Sequence, residues 1–437
     1  MKSYAEIGIQ EPEILLPNKS IDLTKWSVIA CDQFTSQPEY WKAVEDFVGD
    51  SPSTLRMILP EVYLETPKEQ ELIQSTQNAM KAYMNSGILE PHDGFILVER
   101  TVGGKTRTGL MLALDHEAYD FSSGSQTLIR ATEGTIIERL PPRIRIRKDA
   151  VLELPHILVL IDDPGRTVIE PLAAQKIKYP KAYDFELMMN SGHLTGYHID
   201  RGGAESLVAA LRQLSDNSSF HQRYQVGDDK GVLLFAIGDG NHSLATAKSI
   251  WESIKGTVGS SHPARYALVE LENLHDPALQ FEPIHRVLFD VKVNLNSALD
   301  EYFLDAYHLE PVDSMEALKV HVQSQPESGQ TVGIAHASGF STLTFNKPSS
   351  NLAVGTLQGF LDSLLKRELI GKIDYVHGDA IVADLGIKEG NLGFFLPAME
   401  KNDLFKTVIV DGALPRKTFS MGEAHEKRFY MECRRIA

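Results

Sequence analysis

Residues 233–251 read LLFAIGDGNHSLATAKSIW. The apolar run Val232 to Ile237 has the form of a strand buried on both faces. From Ser243 onward, Leu244, Ala247, Trp251 and Ile254 recur at helical spacing and make one apolar stripe. Gly238-Asp239-Gly240-Asn241-His242-Ser243 therefore stands where a strand hands over to a helix. At such a point the first backbone N–H groups lack partners and the helix dipole favours an anion. Gly238 and Gly240 let the main chain approach a ligand closely. His242 can donate to a phosphate or move a proton near neutral pH, and Asp239 can take a metal or accept a proton from a hydroxyl. The plainer reading is that Asp239 or Asn241 caps the helix and the glycines make a tight turn. The motif is neither a Walker loop nor a dinucleotide fingerprint, so spacing alone leaves both readings open.

Working outward, the sequence predicts a helix from about Pro38, a second over 67–86 closed by Gly87, and others over 203–214 and 298–307. Strands are expected at 94–101 and 108–114 across the Gly103-Gly104 turn, at 157–162 before Asp162-Asp163-Pro164-Gly165, and at 266–272. From about 313 the rhythm is helix 314–324, strands 331–336 and 340–345, helix 353–368, then strands near 392–396 and 406–410. RLPPRIRIRK (139–148), with Ile alternating with Arg, reads as a strand with one solvated face. The fold class implied is α+β (mixed α/β). The division expected is a main domain over 1–290, carrying the Asp-Gly-Asn-His turn, and a C-terminal α/β region over 291–437.

The chain has 437 residues, 43% hydrophobic and 23% charged, the composition of an ordinary globular protein. Its formal net charge of −16 disfavours nucleic acid as a partner, because phosphate contacts need surplus Lys and Arg. No apolar run has the length of a membrane span, and the N-terminal residues lack the apolar core of a secretion signal. Two cysteines, Cys31 and Cys433, lack metal-ligand spacing and point to a reducing cytoplasm. His193 and His198, five apart, read as structural.

The turn resembles the Asp-Gly-His-His-Arg signature of the bacterial domain-of-unknown-function family 1015, here Asp239-Gly240-Asn241-His242-Ser243. HPARYALVELENLHDPALQFEPIHRVL (262–288) resembles the family's block ending in Pro-x-His-Arg, matched by Pro283, His285 and Arg286. ATEGTIIERLPPR (131–143) resembles its His-Glu-x-Thr stretch through Glu133 and Thr135. DGALPRKTFSMGEAHEKRFY (411–430) resembles its C-terminal block through Pro415, Lys417 and Thr418. Three positions depart from the family pattern: Thr132 and Asn241 replace histidines, and Ser243 replaces the arginine. In the N-terminal block Ala30-Cys31-Asp32-Gln33 keeps only the Asp.

The resemblance implies a ParB-like strand–turn–helix core, related to free-serine kinases, and hence a phosphate site. On that footing the expected catalytic residues are Glu133, Asp239 and His242, with Glu133 accepting the proton of an attacking hydroxyl. Gly238, Gly240, Asn241 and Ser243 would cradle phosphates, while His285, Arg286, Arg416, Lys417 and Thr418 would bind phosphate or substrate. Asp32 and Asp239 would place Mg2+, and a nucleotide or pyrophosphate would be the phosphoryl donor. The function expected is phosphotransfer to a small anionic molecule such as an amino acid, with no nucleic acid and no membrane, and with a homodimer left open. The alternative is a non-catalytic metabolite or nucleotide sensor on the same fold.

Overall fold

The computed structural model describes residues 1–437 apart from 36, 138–139, 327–328 and 423. It divides into two units, Met1–Leu279 with Gly422–Ala437, and Gln280–Met421. The division thus falls at 280, not 290, and residues 422–437 belong with the first unit instead of a C-terminal region. The class is mixed α/β, of the α+β kind.

The first unit is built on one mixed sheet. Nine of its eleven strands are β1 Ile96–Val102, β2 Lys105–Asp115, β3 Tyr119–Asp120, β4 Ile129–Ala131, β5 Leu158–Ile161, β6 Lys181–Glu186, β7 His193–His198, β8 Phe235–Asp239 and β9 Tyr266–Asn273; the short strand Ile9–Gln10, paired with Ser3–Tyr4, adds to β2. The nine run in the order β6-β7-β1-β2-β9-β5-β8-β4-β3. β1 and β2 form a hairpin across Gly103-Gly104, with Val102 opposite Lys105. β5 lies parallel to β9 and antiparallel to β8, and β8 runs parallel to β4.

Both faces of this sheet are covered, which is why its strands read as near-continuous apolar runs. Alternation sends Ile96 and Val98 to one face and Leu97 to the other. Helices α1 Pro38–Val48 and α2 Glu69–Asn85 pack Trp41, Val44, Val48 and Met80 on the first face. Phe429, Tyr430, Met431 and Cys433 pack there too. The opposite face takes Leu207, Val208 and Leu211 of α4 (Arg201–Leu214) and Leu244 of α5 (Asn241–Val258).

Between α2 and α4 lies α3, Leu140–Arg147, where the alternating Ile and Arg residues suggested a strand. Pro141 and Pro142 occupy its first turn, where missing N–H groups cost nothing. Its arginines then reach three glutamates: Arg143 pairs with Glu61, Arg145 with Glu69 and Arg147 with Glu153. Arg139 lies outside the described residues.

The second unit carries β10 Phe281–Phe289, β11 Tyr307–Val312, β12 Gln330–His336, β13 Gly339–Phe345, β14 Lys372–His377, β15 Leu392–Phe395 and β16 Phe419–Met421. The order is β11-β13-β12-β15-β10-β14, with β16 also on β10. Helices α6 Leu295–Phe303, α7 Met315–Gln323, α8 Ala353–Lys366, α9 Asp379–Gly386 and α10 Lys401–Asp411 complete it. The strand expected at 406–410 is the C-terminal half of α10: Leu404 and Val408, and Phe405 and Ile409, are buried pairs four residues apart.

Candidate functional site

β8 ends at Asp239, and the chain turns through Gly240 at φ +83° into α5. A Cβ at Gly240 would stand 3.0 Å from Ile157 Cγ1 and 3.2 Å from its Cα, so the left-handed turn and the close approach both call for glycine. No side chain caps α5 among the described residues, and the first N–H groups of a helix have no intrahelical acceptor. The capping reading of Asp239 and Asn241 is therefore corrected. Asp239 Oδ1 accepts from the Gly240 N–H at 2.8 Å. Asn241 turns to the end of β4, accepting from Thr132 N at 3.1 Å and lying 3.3 Å from Thr132 Oγ1, which donates to the Ile237 carbonyl at 2.6 Å. Ile136 N donates to His242 Nε2 at 3.3 Å. The segment 132–136, and Glu133 with it, is thereby tied to the turn.

Asp239 Oδ2 lies 3.1 Å from Lys427 Nζ. Burial pushes the Asp239 carboxyl up, but Lys427, His156 and the Gly240 N–H outweigh it, so the group sits below the usual carboxylate range. One turn into α5, Ser243 Oγ and His156 Nε2 are 2.9 Å apart, and His156 Nδ1 is 2.9 Å from Tyr430 Oη. Tyr430 Oη accepts from Cys31 N at 3.1 Å. The Cys31 carbonyl in turn accepts from Glu61 N at 2.8 Å, and Asp32 Oδ1 accepts from Gln33 Nε2 at 2.9 Å. Burial pushes the Glu61 carboxyl up, opposed by Arg143 and His156 and reinforced by Asp32. Burial also pushes the Cys31 thiol up to about 12, which removes it as a thiolate nucleophile.

Segments from seven parts of the first unit are thus linked to the start of α5: 31–32, 61, 132–136, 143, 156, 239–243 and 427–430. Glu61, Arg143, His156, Lys427 and Tyr430 were not expected from sequence. His156 is a lone histidine before a strand, and Lys427 and Tyr430 sit in a charged and aromatic tail that reads as surface. No local pattern marks them.

His285, Arg286, Arg416, Lys417 and Thr418 belong to the second unit, and most of their polar groups are already engaged there. Arg286 is 0% exposed. Its guanidinium donates to the carbonyls of Ile284, Arg416 (2.9 Å) and Lys417 (3.1 Å) and to Gln358 Oε1 (3.2 Å). Arg286 therefore clips the 415–418 loop to β10 and is not available to bind phosphate. His285 is stacked on Phe395 and accepts from Leu396 N at 3.1 Å; burial pulls it down to about 4, so it is neutral. Arg416 pairs with Asp362 at 2.7 Å, and the Thr418 hydroxyl donates to Pro415 O at 2.6 Å. Lys417 is exposed at φ +56°. His193 lies between Asp184 and Glu186, a surface ion-pair cluster.

A family model described as "Protein of unknown function (DUF1015)" matches residues 15–364. The chain belongs to this family. No curated protein matches it. Among solved structures it is similar to a free serine kinase in complex with AMP, at 9% identity and TM-score 0.39, covering 74% of this chain and 90% of that one. The same kinase in complex with ADP gives 8%, 0.38, 74% and 91%. SbnI with C-terminal truncation from Staphylococcus aureus gives 9%, 0.34, 71% and 83%.

Within DUF1015 the departures noted above explain one another. Thr132 and Asn241, both standing where the family pattern has histidine, are each other's hydrogen-bond partners. Ser243, in place of the arginine, is matched to His156. The site does not fit a divalent ion held by the protein. Asp239 is taken up by Lys427 and Gly240, and among the described residues no three His, Cys, Asp or Glu side chains converge. Among the described residues no helix is long and apolar enough to cross a membrane.

Proposed function

We propose that this DUF1015 protein is a phosphotransfer enzyme. A nucleotide or pyrophosphate would donate, and the acceptor would be a small hydroxyl-bearing anion such as an amino acid. The observation that carries the reading is the uncapped start of α5 beside Lys427 and the Ser243–His156 pair. N–H groups at a helix start and a lysine suit phosphate oxygens. In this scheme the amides of the first α5 turn, Lys427 and the Ser243 hydroxyl hold the transferred phosphoryl group. Asp239, kept ionised, orients Lys427. Glu133, carried by the 132–136 segment tied to the turn, takes the proton of the attacking hydroxyl, and Glu61, whose carboxyl burial pushes up, is a second candidate for that role. Positioning and charge neutralisation are what phosphoryl transfer requires of a protein.

The second reading, a sensor without turnover, is favoured by the Asp239–Lys427 pair, which holds a charge-neutral turn as a binding site would. Calorimetric titration with ATP, ADP and pyrophosphate tests both, since absence of binding at millimolar ligand removes them. Asp239→Ala then separates them. An enzyme loses turnover with its fold intact, whereas a sensor changes only in affinity.

A further inference from the structure

Val98, Arg100, Arg107, Leu194, Glu270, Arg428 and Phe429 enclose a cavity of about 10 Å³. That is room for one water or one monatomic ion. Three guanidinium groups and a single carboxylate line it, an unusual balance for a buried space. Two of the three arginines have their own acids: Arg428 is 2.7 Å from both Glu270 and Glu432, and Arg107 Nε is 2.6 Å from Glu272.

Among the described residues Arg100 has none. It is 2% exposed, and among those residues its terminal nitrogens donate to main-chain carbonyls, those of Lys427 (2.9 Å), Ser191 (2.9 Å) and His425 (3.0 Å). Its face lies 4.9 Å from the centre of the Phe429 ring. Its Nε–H, fully buried, has no hydrogen-bond partner among the described residues. Burial, and then Arg107 and Arg428, pull Arg100 down to about 9, which still leaves it charged at neutral pH. Burial meanwhile pushes the Glu272 carboxyl up to about 8, against the pull of Arg107.

We propose that this cavity is a binding site for one monatomic monovalent anion, a halide such as chloride, anchored by the unpartnered Nε–H of Arg100 and completed by Arg107 and Arg428. The proposal is independent of the phosphotransfer reading. It has a structural corollary. Arg100 holds the carbonyl of Lys427, whose ammonium pairs with Asp239, so the bound anion stiffens the segment that delivers Lys427.

The test is diffraction from crystals of the full chain in sodium bromide, recorded at the bromine edge. An anomalous peak between Arg100 and Arg428 is expected; a cavity holding only water, without that peak, overturns the proposal. In solution, thermal melts followed by tryptophan fluorescence are compared in sodium chloride and sodium gluconate at equal ionic strength. A melting temperature several degrees higher in chloride, saturating with concentration, is expected. Excluded-solute effects would run the other way, favouring gluconate. Arg100→Gln should melt alike in both salts. Equal melting of the unmodified protein in the two salts would refute an anion site.

Discussion

Replacing Gly240 by alanine tests the geometry on which the functional reading stands. At φ +83° a Cβ costs about 1–2 kcal/mol from backbone sterics alone. Here the Cβ also meets Ile157, at 3.0 Å from Cγ1 and 3.2 Å from Cα. The Cγ1 can rotate away but the main-chain Cα cannot, so roughly another 1 kcal/mol is expected from overpacking. Gly87, which follows α2 at φ +75° with nothing within 4 Å of its Cβ position, is the internal control, carrying the backbone cost without the contact. Urea unfolding followed by tryptophan fluorescence suits the measurement. All three tryptophans, Trp26, Trp41 and Trp251, are buried in the first unit, so the signal reports that unit alone. Gly240→Ala should lower the unfolding free energy by about 2–3 kcal/mol, about 1 more than Gly87→Ala. If the two variants cost the same, Ile157 does not lie under the turn and the site is wrongly built.

Two further outcomes follow from burial. His116 is 1% exposed with both ring nitrogens unpartnered among the described residues, and burial pulls it down to about 3. The unfolded chain, titrating near 6.5, takes up the proton first. Stability present above that pH is therefore lost as pH falls from about 6.5 toward 3, by up to about 1.4 kcal/mol per unit. The urea midpoint of the first unit should drop between pH 7 and 5, and His116→Leu should flatten that slope; an unchanged slope refutes the assignment. In the second unit, Arg286→Met should cost about 3 kcal/mol and speed tryptic cleavage after Arg416 and Lys417, because three carbonyls lose their donor. Arg286→Lys should not restore resistance, since one ammonium cannot span them. Unaltered cleavage in both variants would show that the clip does not hold the loop.

The strand–turn–helix at 233–251 was legible because two periodicities meet there with glycines between them, and the β1–β2 hairpin because Gly-Gly is a strong local signal. RLPPRIRIRK misled, since a short helix whose arginines point to three different glutamates shows no apolar stripe. KTVIV misled because its helical partners, Leu404 and Phe405, precede the apolar run. The site was half legible. Its turn is a local feature, whereas His156, Glu61 and Lys427 reach it only through tertiary pairing, which leaves no mark at their own positions. Arg286 shows the converse. A motif residue with an ideal fork for phosphate is used on main-chain carbonyls, and only its neighbours in space reveal that.

Residues 422–437 return to the first unit and bring Lys427 to Asp239, Arg428 to Glu270 and Arg434 to Glu153. Translation therefore delivers the second unit whole while the first is still waiting for its closing strap. A chain ending at residue 421 would carry the whole sequence of the second unit but leave the buried acids of the first without these cations. The order of maturation runs against the order of synthesis.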